Sequence, residues 1–166
     1  TYGPGEIRQL CTWVKPNVSA LCNIGPVHLE RFGTVDTIVT SKSEIFDTSS
    51  VAVLNIDAYG LAAAADKVET TGQRVIRCSA TPGSGANVVV TIAAKTNSGP
   101  ATATVTIDGI EHRAEVAPSA IAENVAVAVG LALALDVAPA TIMGRLATLP
   151  VADHRQEVSA TPTGVS

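Results

Sequence analysis

Two side chains in this 166-residue chain are of types that could carry chemistry, His28 and, fourteen residues later, Lys42. His28 follows an apolar run of strand length, Val18 to Ile24, and Lys42 falls inside a stretch with helical spacing, about Val35 to Phe46. A neutral imidazole is a competent metal ligand. An ammonium group has three donors and no acceptor, so Lys42 can meet a cation only if its chemistry changes. Each residue also has a plain reading. A histidine at a strand end is ordinarily a hydrogen-bonded polar residue, and SKSE (Ser41 to Glu44) reads as an exposed helix face. Asn23 closes the apolar run, where the carboxyl edge of an open α/β sheet collects ligands. Glu30 reads as a carboxylate at a helix start or behind the site. Arg155, in DHRQE, carries the planar donor fork that suits phosphate oxygens, and otherwise is a linker arginine. Asn124 opens a strongly apolar helix and has the alternative of being one of its surface residues.

The elements that must position these residues follow from periodicity. Gly5 to Val14 is helical, with Ile7, Leu10, Cys11 and Val14 on one face and Pro16 as its stop. Val18 to Ile24 and Val51 to Ile56 are strands buried on both faces. Thr34 is the expected N-cap of the helix that carries Lys42. A helix over Ala58 to Val68 and a strand over Gln73 to Cys78 continue the alternation, which predicts a parallel sheet covered by helices. After Ser79 the pattern changes. Val88 to Ala94 is a strand, and Thr102, Thr104 and Thr106 alternate with Ala103, Val105 and Ile107. Asp108-Gly109 then predicts a tight hairpin turn into a return strand over Ile110 to Val116. Helices over Ser119 to Leu135 and Ala140 to Leu149 complete the chain before a polar tail. The predicted fold is α/β: a mainly parallel sheet flanked by helices, with a small antiparallel sub-sheet.

Composition excludes several classes. Hydrophobic residues make up 46% of the chain but aromatics only 3%, so the core must be Ala, Val, Ile and Leu. A net charge of -4 and the lack of any basic run argue against nucleic acid as a partner. The most apolar run, Val125 to Leu135, falls well short of the ~20 residues that span a bilayer. No signal peptide is visible, and Cys11, Cys22 and Cys78 have no metal-site spacing. They read as buried free thiols, which fits a reducing cytoplasm. His112 and His154 read as surface histidines.

GPGEI ahead of a helix, then NIGPVHLERFG, then SKSEI, resembles in order and spacing the central ATP-binding domain of the Mur ligases. Those enzymes build the peptide of bacterial cell-wall precursors. The likeness runs from Thr1 to about Val158. It is strongest from Gly3 to Phe46, continues at LNID (Leu54 to Asp57) and Asn124, and thins in the hairpin region. HLERFG favours the cell-wall branch, and the three motifs together most resemble the member that joins D-alanyl-D-alanine to a UDP-N-acetylmuramoyl tripeptide. The resemblance implies ATP and Mg2+ as cofactors, with the metal held by His28 and by Lys42 converted to a carbamate, and these two as the catalytic residues. It implies Asn124 beside adenine and Arg155 on the ATP phosphates; Asn23, from its place at the strand end, is expected to join them as a cofactor-binding residue that orients substrate or backbone. It implies a UDP-N-acetylmuramoyl peptide and an amino acid or dipeptide as substrates, joined through an acyl phosphate. One departure stands out: the family has His-Asn where this chain has Ala120-Ile121.

The domain expectation is a central domain over 1–152 without its phosphate-binding loop, and a linker over 153–166 toward a C-terminal ligase domain. No GxxGKT-type loop occurs, and GSGAN (Gly83 to Asn87) lacks the Lys-Ser/Thr such a loop needs. The 166 residues alone are therefore expected to be inactive. Two other readings stay open: a folylpolyglutamate- or cyanophycin-synthetase-like ligase, and a non-catalytic nucleotide-binding or interaction module.

Overall fold

The structure, a computed structural model, describes residues 3–26, 29–93 and 100–148. His28, Arg155 and His154 lie outside the described residues. The elements run α1 (Glu6–Val14), β1 (Val18–Leu21), α2 (Leu29–Phe32), α3 (Val35–Ser43), a 3-10 turn (Glu44–Phe46) and β2 (Val51–Asn55). Then come α4 (Leu61–Glu69), β3 (Arg74–Ser79), β4 (Val88–Ile92), β5 (Ala101–Ile107), β6 (Ile110–Val116), α5 (Ala122–Ala134) and α6 (Pro139–Leu146). One six-stranded sheet holds the strands in sequence order, β1 to β6. β1 to β4 are mutually parallel, and β5 is antiparallel to both β4 and β6.

Two apolar layers sandwich the parallel part. Val53, Ile76, Cys78, Val88, Val90 and Val129 join beneath α5 and α6. Leu21, Ile38, Phe46, Leu54 and Leu61 join beneath α3 and α4. β2 sends Val53 to the first layer and Ala52 and Leu54 to the second, and all three are fully buried, as a strand covered on both faces requires. The core is aliphatic, so α5 lies close on the sheet. A Cβ on Gly130 would stand 2.6 Å from Cys78 Sγ and 2.9 Å from Val53 Cγ1.

The antiparallel strands are an extension of the same sheet, displaced along it. β3 and β4 pair only through Cys78↔Val88 and Ser79↔Val89, so β4 begins where β3 ends. Val88 pairs with Ile107, which pairs with Ile110, so the hairpin turn sits at that same level. Strands β4 to β6 therefore rise past the carboxyl ends of β1 to β3, β4 by roughly 10 Å at strand spacing. The hairpin turn itself is as predicted: Asp108 and Gly109 both have positive φ, 45° and 85°. Asn87 fixes this step. Its Oδ1 accepts from Arg77 N at 2.9 Å, and its Nδ2 donates to Asp108 Oδ1 at 3.1 Å.

Several local expectations change. The first strand stops at Leu21, which leaves Cys22 exposed rather than buried, whereas Cys11 and Cys78 are buried. On α1 only Cys11 is buried; Leu10, Val14 and Trp13 are 52%, 75% and 78% exposed. Helical spacing alone finds a face but not whether a layer covers it. The long helix opens at Ala122 instead of Ser119, after a turn in which Ala120 N donates to Ala117 O.

Candidate functional site

β1, β2 and β3 end on one carboxyl edge, and a chain of hydrogen bonds runs across all three ends. Asn55, only 5% exposed at the end of β2, donates from Nδ2 to Cys22 O at 3.0 Å. Its Oδ1 accepts from Asp57 N at 3.2 Å. Asp57 in turn accepts from Ser79 Oγ and from Ala80 N, both at 2.7 Å. Ser79, fully buried, also accepts from Thr81 N at 2.9 Å. The loop after β2 braces α3 as well, since Tyr59 donates its hydroxyl to Asp36 Oδ1 at 3.0 Å, a bond that raises the Tyr59 pKa.

Asn23 leaves this edge directly after the carbonyl that Asn55 holds, and its side chain is exposed. Asn124 reaches the same side by another route. β6 runs parallel to β1 to β4, and α5 descends from the carboxyl end of β6, so its first turn stands on the carboxyl side of the sheet. Asn124 is exposed in that turn. The candidate residues Asn23 and Asn124 thus share one side of the sheet, although they stand 101 positions apart in sequence.

Lys42 sits in the last turn of α3. Thr34 caps this helix as expected, its Oγ1 accepting from Thr37 N at 3.1 Å. Lys42 is not on the exposed face that SKSE suggested. It lies four residues from Ile38, which is 1% exposed, and seven from half-buried Val35, and is itself half-buried. A helix tilts each Cα–Cβ bond toward its own N-terminus, so Lys42 leans back over Ile38 toward the carboxyl side. Among the described residues its side chain has no hydrogen bond or ion pair, while Arg8 pairs with Asp47 and Arg77 with Asp66 and Glu69.

Glu44, two residues on, escaped the sequence reading. It is 6% exposed, and its carboxylate accepts from Gly5 N at 2.7 Å and Arg8 N at 3.2 Å. The buried charge compensates free N–H groups at the start of α1. Asn55, Asp57 and Ser79 were likewise given no role by sequence, although polar residues closing apolar strands were the available signal.

The structure also holds an open groove of about 870 Å³. Ser49, Ser50, Gly72 and Gln73, which lead into β2 and β3, line it with Thr40 of α3 and Lys67 of α4. Gln73 Nε2 is already committed there to Phe46 O and to Ser49. The groove runs between α3 and α4 from the amino ends of β2 and β3 as far as Asp36 and Gly60, at the starts of the two helices. Among the described residues no group of three His, Cys, Asp or Glu side chains is placed to hold a metal ion. As an ammonium, Lys42 has no lone pair to offer a cation.

An open, largely parallel sheet with polar groups gathered on its carboxyl edge defines an α/β domain of the kind in which that edge is where ligands generally bind. The chain belongs to the Mur ligase family: residues 1–132 match the Mur ligase middle domain. It is 30% identical over 151 residues to the UDP-N-acetylmuramoylalanine--D-glutamate ligase of Rhizobium johnstonii, covering 90% of this chain and 32% of that protein. It is 37% identical over 79 residues to the UDP-N-acetylmuramoyl-tripeptide--D-alanyl-D-alanine ligase of Mycobacterium leprae, covering 46% of this chain and 15% of that one. Among solved structures, MurF from Acinetobacter baumannii superposes with a TM-score of 0.78 at 25% identity, over 98% of this chain and 36% of that one. MurF ligase from Thermotoga maritima in complex with ADP gives 0.75 at 23% identity, over 91% and 34%, a likeness of fold. The chain spans about a third of the length of the first relatives it matches. No helix among the described residues is long and apolar enough to cross a membrane.

Proposed function

We propose that this chain is the central, nucleotide-binding part of an ATP-dependent ligase of peptidoglycan precursor synthesis, and that Lys42 is its key reactive residue. The observation that carries this reading is the placement of Lys42: half-buried on the inward stripe of α3, with no described counter-charge. As a carbamate it becomes an anion with two ligand oxygens. The ammonium first loses a proton to solvent; the amine nitrogen then attacks the carbon of carbon dioxide, a C–N bond forms as one C=O π bond opens onto its oxygen, and a second proton leaves the nitrogen to solvent. With His28, that carbamate would hold Mg2+, which supplies positive charge to a transferring phosphoryl group.

This chain's own residues position the reactants. Asn23 and Asn124 stand on the carboxyl side to meet nucleotide, and Arg155 is assigned to the phosphates. ADP bound to the Thermotoga maritima relative supports a nucleotide as ligand. The phosphoryl acceptor is the carboxylate of a UDP-N-acetylmuramoyl peptide, which gives an acyl phosphate that an amino acid or dipeptide amine attacks. Residues 1–152 form the central domain and 153–166 lead toward a further ligase domain, so the 166 residues alone do not turn over. Catalysis is chiefly positioning and charge stabilisation.

The test is phosphate release from ATP and Mg2+ by the uninterrupted parent protein, with UDP-muramoyl peptides and candidate amines. Release that requires both substrates, falls at least about a hundredfold in Lys42→Ala and is partly restored by added short-chain carboxylic acids is expected. Undiminished release in Lys42→Ala would sink the carbamate. Release that ignores muramoyl peptides but needs Lys42 would point to another acid as acceptor, and no release at all would favour a binding module, the reading that Ala120-Ile121 suggests.

A further inference from the structure

Asn55 has no role in the reading above, yet it is the buried polar group nearest to where β1 delivers its chain to the site. It is 5% exposed, and both ends of its amide are used: Nδ2 donates to Cys22 O at 3.0 Å, and Oδ1 accepts from Asp57 N at 3.2 Å. The first bond does what sheet pairing no longer does. β1 and β2 pair through Leu21↔Leu54 and no further, so beyond Leu21 the Asn55 side chain takes over from the backbone ladder. It holds the carbonyl of the residue immediately before Asn23 and six before His28. The second bond ties this grip to Asp57, which is anchored on β3 through Ser79 and Ala80.

We infer that Asn55 is a positioning residue: it sets the direction in which the chain leaves β1, and so places Asn23 and the segment leading to His28 for the nucleotide and its metal. This rests on the proposed function for its metal part but not for its structural part. A buried amide fits the task because it supplies a donor for Cys22 O and an acceptor for Asp57 N in one planar group. Aspartate has the same shape and keeps the acceptor, but turns a carboxylate oxygen toward the Cys22 carbonyl.

Asn55→Asp and Asn55→Ala are compared with Asn87→Ala, which removes a polar staple of the sheet on the far side of β3. Two readings are taken in the parent protein. The backbone chemical shifts of Cys22, Asn23 and Ile24, led by the Cys22 carbonyl carbon that accepts the Asn55 bond, should move in both Asn55 variants and stay at their wild-type values in Asn87→Ala. The Mg2+ concentration for half-maximal phosphate release should rise about tenfold or more in Asn55→Asp, with activity recovered at high Mg2+. A mere loss of stability would instead lower activity equally at every Mg2+ concentration. Unmoved shifts at these three residues in Asn55→Asp overturn the inference, as do changes that Asn87→Ala reproduces. If the unmutated parent releases no phosphate, the ligase reading fails, and the chemical shifts still decide the role of Asn55.

Discussion

The carboxylate of Glu44 reaches across 39 positions of sequence to accept the backbone N–H of Gly5 at 2.7 Å. The same carboxylate takes Arg8 N at 3.2 Å, so one buried acid serves the first turn of α1 from a different element. Gly5 itself, at φ 89°, offers no side chain for the purpose. This contact fixes α1 against the turn that follows Lys42, and the Arg8–Asp47 pair at 2.7 Å repeats the link at the surface.

Replacing Glu44 with alanine should therefore destabilise the protein by about 1–3 kcal/mol, because two N–H donors lose a buried acceptor. Urea denaturation measures it. Arg8→Ala, which breaks only an exposed pair, should cost clearly less. Equal costs for the two would show that Glu44 contributes as a surface charge does.

Gly130→Ala should destabilise even though alanine favours helices by about 1 kcal/mol. The new Cβ would meet Cys78 Sγ at 2.6 Å and Val53 Cγ1 at 2.9 Å, and overfilling a core costs about 1–3 kcal/mol. Adding Cys78→Ala removes the nearer obstacle, so the double variant should be more stable than the sum of the two single changes predicts. Strict additivity in a thermal-denaturation cycle would refute the contact.

The cysteines should separate cleanly under a thiol reagent. Cys22 is exposed and should be labelled in the native protein at pH 8, whereas Cys11 and Cys78 should react only after denaturation. Burial pushes the Cys78 thiol from 9.0 up to about 12. Above pH 9 the unfolded chain loses this proton while the folded one keeps it. Stability from Cys78 is thus fully present below pH 9 and is lost as pH rises toward 12, by up to about 1.4 kcal/mol per pH unit. Cys78→Ala should flatten that part of the stability–pH curve.

Gly109→Ala should cost about 1 kcal/mol or more, since φ is 85° there and an L side chain is strained in that region. Asp108→Asn should be nearly neutral to the turn, because asparagine tolerates the same positive φ. Amide exchange in β5 and β6 would report both.

Much of this was legible in sequence because it is local. The β1–α3–β2–α4–β3 alternation, the Thr34 cap and the Asp108-Gly109 turn follow from periodicity and from what single residues permit in φ. The family, too, was readable from NIGPVHLERFG and SKSEI. Roles for Lys42 as a carbamate, for His28 as a ligand and for Asn23, Asn124 and Arg155 at a nucleotide are legible only as expectations.

What the tertiary structure decided was which polar groups lost water and to whom they were joined. A helix wheel could not say that Lys42 faces inward, since SKSE is polar all round and only the layer beneath α3 distinguishes its sides. Nothing local predicts that Glu44 is buried, because the donors it serves belong to α1. The offset of β4 on β3, which lifts the antiparallel strands past the carboxyl edge, is set by pairing across the Asn87 staple rather than by strand propensity. Sequence alone determined the elements and the kinship of this chain, because backbone preference and side-chain order are carried residue by residue. Its edge network from Cys22 to Ser79 exists only in the fold, because a hydrogen bond between distant residues depends on where the whole sheet brings them.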